Sequence, residues 1–349
     1  MKQISTDSNR RDFLTNAALA GMGSIVASCS GDAGQQAVPD GIALQFLLPL
    51  PPTSLTFAPE LVADAGGFFR ENGLAVSLDV ARSSPQAIQL VLARQSILTR
   101  ITTIEGMLIA ANQNAPIVNV GMLAKGSTIR FVSSKEMPLM APADFSGKTI
   151  GIPSKGGSSE HELDLFLKSY GVDPASVRRE VVGVTPSAFN LVEQGLVAAY
   201  AVSIDTAELV RQQKEVEVLD PTAFSAACGQ FYMTSRAGLA EHEEKIVRFL
   251  GAIHQALEVM IDDQDFTMTL NILRSKYSFA ALDDDATAKR CLREYMNIWA
   301  PTGSSDLLIT TSNRWDDGYS ELVNAGLVSS SATPSDWFTN SLVEKADRG

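Results

Sequence analysis

The chain has 349 residues, of which 45% are hydrophobic and 19% are charged, and its formal net charge is −12. This balance is typical of a globular protein and excludes a disordered or fibrous chain. Nothing in it suggests the basic face of a nucleic-acid-binding protein, so no nucleic-acid partner is expected. Three cysteines and three histidines, with no C-x-x-C pair, argue against a metal site or a dense disulfide framework.

The start of the chain has the features of an export signal. Residues 10–14, Arg-Arg-Asp-Phe-Leu, resemble the twin-arginine motif. The mildly apolar stretch that follows, residues 17–28, is too short to cross a bilayer, which takes about 20 residues. It fits the apolar region of a signal peptide. We therefore predict that residues 1–28 are a twin-arginine-type signal peptide and that the protein is periplasmic.

A lipid attachment site is predicted directly after this signal. Residues 26–29, Val-Ala-Ser-Cys, resemble a lipoprotein box. The pattern predicts that Cys29 becomes the lipidated N-terminus and anchors the protein to a membrane. Residues 29–41 are small and polar, which predicts a flexible tether. The competing interpretation is a frayed terminal helix with an incidental cysteine.

Strands and helices alternate through the rest of the chain, which predicts an α/β fold with largely parallel sheets. The predicted strands are 42–48, 74–80, 99–103, 117–122, 129–133, 149–152, 177–182 and 231–234, and residues 197–204 form a further apolar segment. The predicted helices are 60–72, 86–93, 105–112, 160–170, 186–194, one from residue 205, and then 241–262, 266–277, 285–299 and 312–325.

Three stretches resemble one family of transport proteins, namely residues 63–74 (ADAGGFFRENGL), 144–151 (DFSGKTIG) and 156–161 (GGSSEH). In order and spacing they match the periplasmic substrate-binding proteins of ABC importers for nitrate, alkanesulfonates, taurine and thiamine-type pyrimidines. The resemblance implies a two-lobed type II binding-protein fold, with mixed, mostly parallel sheets, flanking helices and a helical C-terminal extension. Lobe 1 would comprise residues 42–124 and 232–349, and lobe 2 residues 125–231.

The resemblance also implies a function. The protein would capture a small organic solute between its lobes and deliver it to the permease subunits of an ABC importer, as a monomer without a cofactor and without catalytic residues. Two alternatives remain at this point. One is an envelope interaction protein with the same fold, and the other is an enzyme like the pyrimidine synthases of a related branch.

Ligands of open α/β sheets bind where strands end and helices begin, which selects five loops as the predicted cleft. The candidate residues in these loops supply hydroxyls, backbone N–H groups and two charged side chains, those of Arg100 and Asp205. The candidate ligand-binding residues are Thr53, Ser54, Thr56, Ser83, Ser84, Arg100, Thr102, Gly157, Ser158, Ser159 and Asp205.

Several of these residues have a second, purely structural interpretation. Arg100 could bind a ligand carboxylate or sulfonate, or it could pair with Glu105. Asp205 could accept a ligand N–H or cap the helix that follows it, and Ser84 could cap the helix after Pro85. Cys228 and Cys291 are expected to be buried, and a disulfide between them is left open.

Overall fold

The computed structural model describes residues 41–221, 225 and 227–347. The expected signal peptide, Cys29 and residues 30–40 of the tether lie outside the described residues. Within the described ranges, no helix is long and apolar enough to cross a membrane.

Ten strands and twelve α-helices are found in the described part of the chain. The strands are β1 (Ile42–Leu48), β2 (Leu74–Val80), β3 (Leu98–Thr102), β4 (Ile117–Ala124), β5 (Ile129–Ser134), β6 (Thr149–Ile152), β7 (Arg178–Val181), β8 (Ala199–Ser203), β9 (Val216–Leu219) and β10 (Gln230–Ser235). The helices are α1 (Ala58–Ala65), α2 (Phe68–Glu71), α3 (Ser84–Leu92), α4 (Thr103–Gln113), α5 (Ser158–Ser169), α6 (Asn190–Glu193), α7 (Ile204–Arg211), α8 (Arg236–Asp262), α9 (Thr267–Arg274), α10 (Asp285–Trp299), α11 (Ser312–Asn324) and α12 (Ser341–Ala346).

The strands form two mixed sheets of five strands each, in the orders β2-β1-β3-β10-β4 and β7-β6-β8-β5-β9. In the first sheet β1 is parallel to β2 and β3, and β10 is antiparallel to β3 and β4. The second sheet repeats this pattern, since β6 is parallel to β7 and β8, whereas β5 is antiparallel to β8 and β9. The antiparallel strands β5 and β10 are the ones that follow a crossover between the sheets.

Each sheet is the centre of one lobe, and the expected two-lobed α/β fold is confirmed. We call the unit around the first sheet lobe 1 and the unit around the second sheet lobe 2. The lobe boundaries drawn from the sequence remain a prediction, and the two crossovers between the sheets follow β4 and β9.

Aromatic clusters hold helices on both sheets. In lobe 1 the rings of Phe46 on β1 and Phe249 on α8 are stacked with their centroids 5.0 Å apart. In lobe 2 the ring of Phe145 meets Phe131 and Phe166 edge to face, at 5.6 and 5.4 Å. All five side chains are fully buried, and each contributes about 1.5–3 kcal/mol through removal of its apolar surface from water. Each sheet is therefore covered by a buried aromatic cluster of its own lobe.

One helix of the sequence analysis is two helices in the structure. The prediction of a single helix over residues 60–72 was wrong, because the chain breaks between α1 and α2 at Gly66 and Gly67. Gly67 has φ of 84°, a left-handed conformation that glycine adopts without the steric cost borne by other residues. The apolar spacing continues through this break, so periodicity alone does not reveal it.

A buried carboxyl group connects the two crossovers. Glu162 on α5 is 2% exposed, and its Oε2 accepts a hydrogen bond from the Ser127 hydroxyl in the first crossover at 2.7 Å. Burial raises the pKa of Glu162 to about 7, although Ser127 and the Arg130 guanidinium act in the opposite direction. Arg130 also donates to the carbonyl of Ser127 and forms ion pairs with Asp220 and Glu294. The segment joining the lobes thus depends on one titratable group.

The pKa of Glu162 predicts a pH-dependent stability. Between its ordinary pKa of 4.5 and about 7, the folded protein holds a proton that the unfolded chain has lost. The free energy of unfolding therefore falls as pH rises through this window and levels off above it, by up to about 3 kcal/mol. We expect urea unfolding to show that wild type loses free energy of unfolding between pH 5 and pH 8.5. Glu162→Gln should lose less, so its stability relative to wild type should be higher at pH 8.5 than at pH 5. Exchange of the exposed Glu136 for glutamine is the control, and equal pH slopes for wild type and Glu162→Gln would contradict the assignment.

Candidate functional site

A cavity of about 430 Å³ lies between the two lobes. Lobe 1 contributes the segment after β1, the end of β3, the start of α3 and a turn at Ser278–Ala280. Lobe 2 contributes the loops after β6, β7 and β8. Since these loops follow the carboxyl ends of strands, the cavity lies where the sheet topology places ligand sites in open α/β folds.

The cavity wall consists of apolar side chains, hydroxyl groups, the Gln230 amide and the Arg100 guanidinium. The apolar residues are Pro49, Leu50, Pro51, Phe57, Ile101, Ile129, Pro153, Val184, Pro186, Ala201, Val202, Leu209, Phe279 and Ala280. The hydroxyl-bearing residues are Thr53, Ser54, Thr56, Ser84, Thr102, Thr128, Ser154, Ser158, Ser159, Thr185, Ser203, Thr206 and Ser278. Among the lining residues, Arg100 is the one that carries a full charge.

Eight of the eleven candidate residues line this cavity, namely Thr53, Ser54, Thr56, Ser84, Arg100, Thr102, Ser158 and Ser159. Ser83, Gly157 and Asp205 do not. Ser83 caps α3, since its Oγ accepts the N–H of Gln86 at 3.4 Å, so the expectation that Ser84 is the cap was wrong. Gly157 precedes α5, and a Cβ there would lie 2.5 Å from the Ser154 hydroxyl.

Arg100 is bound by the protein itself and not by Glu105. Its Nη1 lies 3.0 and 3.1 Å from the two carboxylate oxygens of Glu60, and Nη2 donates to the Thr56 carbonyl at 2.9 Å. Its guanidinium lies over the Phe57 ring at 4.7 Å. The pairing with Glu105 was wrong because β3 lies beside β1, which brings Arg100 to the segment that follows β1.

The Arg100–Glu60 pair is buried, with side chains 2% and 0% exposed. Burial raises the pKa of Glu60, while Arg100 and the Tyr232 hydroxyl, which donates to Oε1 at 2.9 Å, act in the opposite direction. Both Glu60 oxygens face the guanidinium and Oε1 also accepts from Tyr232, so the contact has the geometry of a buried ion pair. The positive charge of Arg100, which lines the cleft, is thereby paired with Glu60 and is not free for a solute.

Asp205 does not cap α7, so that interpretation was wrong, and it does not line the cavity. It is 1% exposed, and its Oδ1 accepts from the Ser54 hydroxyl at 2.7 Å and from the Tyr295 hydroxyl at 2.8 Å. Oδ2 accepts the N–H of Leu55 at 3.2 Å. Asp205 lies on α7 of lobe 2, whereas Ser54 and Leu55 lie in lobe 1, so the carboxylate connects the lobes.

Glu105 forms the second connection between the lobes. Its Oε2 accepts a hydrogen bond from the Ser158 hydroxyl of lobe 2 at 2.9 Å. Glu105 is 1% exposed, and Oε1 has no hydrogen-bond partner. Burial raises the pKa of this carboxyl group, while the nearby hydroxyls of Ser84 and Ser158 act in the opposite direction. The Glu105 backbone N–H is itself held by Thr102 Oγ1 at 3.3 Å, which fixes the first turn of α4.

Several lining residues were not among the candidates. Thr128 and Gln230 lie at the crossovers, and Nε2 of Gln230 donates a hydrogen bond to Oγ1 of Thr128 at 3.0 Å. Thr185 follows β7, so the rule that selected the other loops could have found it. Ser278 and Phe279 come from the helical tail, where no strand end marks them.

Two further features of the described residues bear on the chemistry of the site. Cys228 and Cys291 are free and buried, so the disulfide left open by the sequence is not formed. Within the described ranges, no group of three or more histidine, cysteine, aspartate or glutamate side chains could hold a metal ion.

The NMT1/THI5-like family model matches residues 54–266, more than half of the chain. The riboflavin-binding protein RibY of Chloroflexus aurantiacus is 26% identical over 296 residues, which cover 83% of both chains. Two solved structures have the same fold. The alkanesulfonate-binding protein SsuA of Xanthomonas axonopodis, bound to MOPS, has a TM-score of 0.66 at 14% identity over 86% of this chain and 98% of that one. The periplasmic nitrate-binding protein NrtA of Synechocystis has a TM-score of 0.63 at 13% identity over 89% of both chains.

The buried ion pair predicts a strong asymmetry between single and double replacements. Arg100→Met leaves the Glu60 carboxylate buried without its cation, and we expect the free energy of unfolding to fall by about 3–5 kcal/mol. Combining it with Glu60→Gln removes that charge and should recover most of the loss. Urea denaturation measures both effects. Arg94→Met, which breaks an exposed pair with Glu241, is the control and should change little. A double variant as unstable as the two losses added together would contradict this account.

Proposed function

Because the chain belongs to the NMT1/THI5-like family and has the two-lobed fold of periplasmic binding proteins, we propose that it is an extracytoplasmic solute receptor of an ABC importer. The observation that carries the proposal is the cavity of about 430 Å³ between the lobes. Its volume lies within the range of small-molecule sites, and its mixture of apolar walls and a few polar groups is typical of them.

Capture of the solute is coupled to closure of the lobes. The lobes are joined by the two crossovers and touch across the cavity through Ser54–Asp205 and Ser158–Glu105. A solute that contacts both walls adds binding free energy to the closed state alone, which shifts the equilibrium toward closure. The closed form is then the one that the permease subunits distinguish from the empty receptor.

The chemistry of the wall supports an uncharged organic solute. Arg100 is neutralised by Glu60, so the cavity offers apolar surface and hydroxyls but no free cation to a sulfonate or nitrate. Proline and phenylalanine side chains, such as Pro51, Pro153 and Phe279, suit a flat ring. The resemblance to RibY, whose name states that it binds riboflavin, makes riboflavin the first solute to test.

The receptor role is binding without catalysis, and it includes attachment to a membrane. Residues 10–14 and Cys29 support export by a twin-arginine-type signal and a lipid anchor. We further propose that the receptor acts as a monomer. Cys29→Ser should release the protein from the membrane fraction of cells that express it. Retention of Cys29→Ser in that fraction would rule out the anchor.

Isothermal titration calorimetry tests the cleft as the solute site. We expect riboflavin, or another uncharged heterocycle from a panel with aminopyrimidines, alkanesulfonates and aromatic acids, to saturate a single site. Ser154→Trp places an indole in the cavity and should weaken binding at least about tenfold, which is 1.4 kcal/mol. Leu196→Trp, on an exposed side chain outside the cavity, is the matched control and should bind like wild type. Equal binding by Ser154→Trp and wild type, or no binding of any solute, would contradict the proposal.

A further inference from the structure

Two serines on opposite walls of the cavity make the same unusual contact. Ser158 of lobe 2 donates its hydroxyl proton to Glu105 of lobe 1 at 2.9 Å, and Ser54 of lobe 1 donates its proton to Asp205 of lobe 2 at 2.7 Å. Both serines line the cavity. Both carboxyl groups lie behind them and are 1% exposed.

These contacts decide what the serines can offer to a solute. A hydroxyl group has one proton to donate and two lone pairs that accept. With the proton directed to a buried carboxyl oxygen, the serine presents only lone pairs to the cavity. Ser54 also accepts the N–H of Thr56 at 3.2 Å, which leaves one lone pair free, whereas Ser158 keeps both.

The buried carboxyl groups hold the serine protons firmly. A buried carboxyl oxygen without a donor is costly, and Glu105 already has one oxygen, Oε1, without any partner. If Ser158 turned its proton toward the cavity, Oε2 would lose its hydrogen bond as well. Oε2 accepts the Ser158 proton when Glu105 is ionised, and it also accepts as a carbonyl oxygen when Glu105 carries its proton on Oε1.

We propose that Glu105 and Asp205 are positioning residues that turn Ser158 and Ser54 into hydrogen-bond acceptors, so that the cleft favours an uncharged solute with N–H or O–H donors over an oxyanion. The inference rests on the proposed function, since it concerns the same cleft. It deepens that function by naming the polarity of the solute edge that both lobes recognise.

Oxyanions fit this cleft poorly for two reasons, which concern the two serines and Arg100. A sulfonate or nitrate offers only acceptor oxygens, which would face the lone pairs of Ser158 and Ser54. The guanidinium of Arg100, which could have compensated, is held by both oxygens of Glu60. An N–H or O–H group, in contrast, completes the hydrogen bonding of both serines and joins the two lobes.

The test compares the affinities for riboflavin and methanesulfonate, the first with N–H and O–H donors and the second with acceptors alone. Glu105→Met removes the acceptor behind Ser158, so that its proton can turn into the cavity. The ratio of the riboflavin affinity to the methanesulfonate affinity should fall at least about tenfold. Glu105→Gln retains a carbonyl oxygen and should keep the wild-type ratio within about threefold. A merely structural role of Glu105 would weaken both probes alike.

Three outcomes of these titrations overturn the inference. Wild type that binds methanesulfonate more tightly than riboflavin would overturn the selectivity and leave the receptor function intact. An unchanged ratio in Glu105→Met would overturn the role of the carboxyl group. Binding of riboflavin that survives Ser154→Trp would overturn the cleft itself, and with it both proposals.

A second measurement needs neither variant nor solute. Neutron diffraction of the deuterium-exchanged wild-type protein locates the hydroxyl deuterium of Ser158 directly. We expect it on the line to Glu105 Oε2, and a deuterium pointing into the cavity would overturn the inference. This result is independent of whether the proposed receptor function holds.

Discussion

The buried ion pair between Arg100 and Glu60 determines the chemistry of the whole cleft. A free arginine at the end of β3 would make the cavity an anion site, because the guanidinium fork matches carboxylates and sulfonates. Glu60 occupies that fork with both of its oxygens, and the Thr56 carbonyl takes a further donor. What remains for a solute is a wall of hydroxyls and apolar side chains. Selectivity then depends on how the hydroxyl protons are oriented.

Two other carboxyl groups provide that orientation and, by the same contacts, join the lobes. Asp205 accepts three donors, from Ser54, Leu55 and Tyr295, and all three belong to lobe 1. Glu105 accepts Ser158 from lobe 2. Solute recognition and lobe closure therefore use the same side chains, and a solute that satisfies the serines stabilises the closed state directly. This is the coupling that a receptor requires if its partner is to recognise the loaded form.

The sequence was sufficient for the architecture and for most of the site. Alternating strands and helices predicted the α/β fold, and the rule that ligands bind at strand ends placed eight of the eleven candidates on the cavity wall. The fold prediction is confirmed because it depends on local periodicity and topology. The same topology places those eight residues on the cavity wall, and ligand binding by them stays a prediction. The partner of Arg100 could not be predicted, since it is set by the packing of β3 beside β1 and not by spacing. Likewise, Asp205 and Ser54 are 151 positions apart, and Ser278 reaches the cavity from a helical tail.

Native mass spectrometry of the protein purified from the cells that produce it tests the central claim most directly. The account predicts a co-purified uncharged solute that carries N–H or O–H donors, bound one per chain and lost when Ser154→Trp fills the cavity. A co-purified sulfonate, nitrate or other oxyanion, displaced by the same substitution, would contradict it.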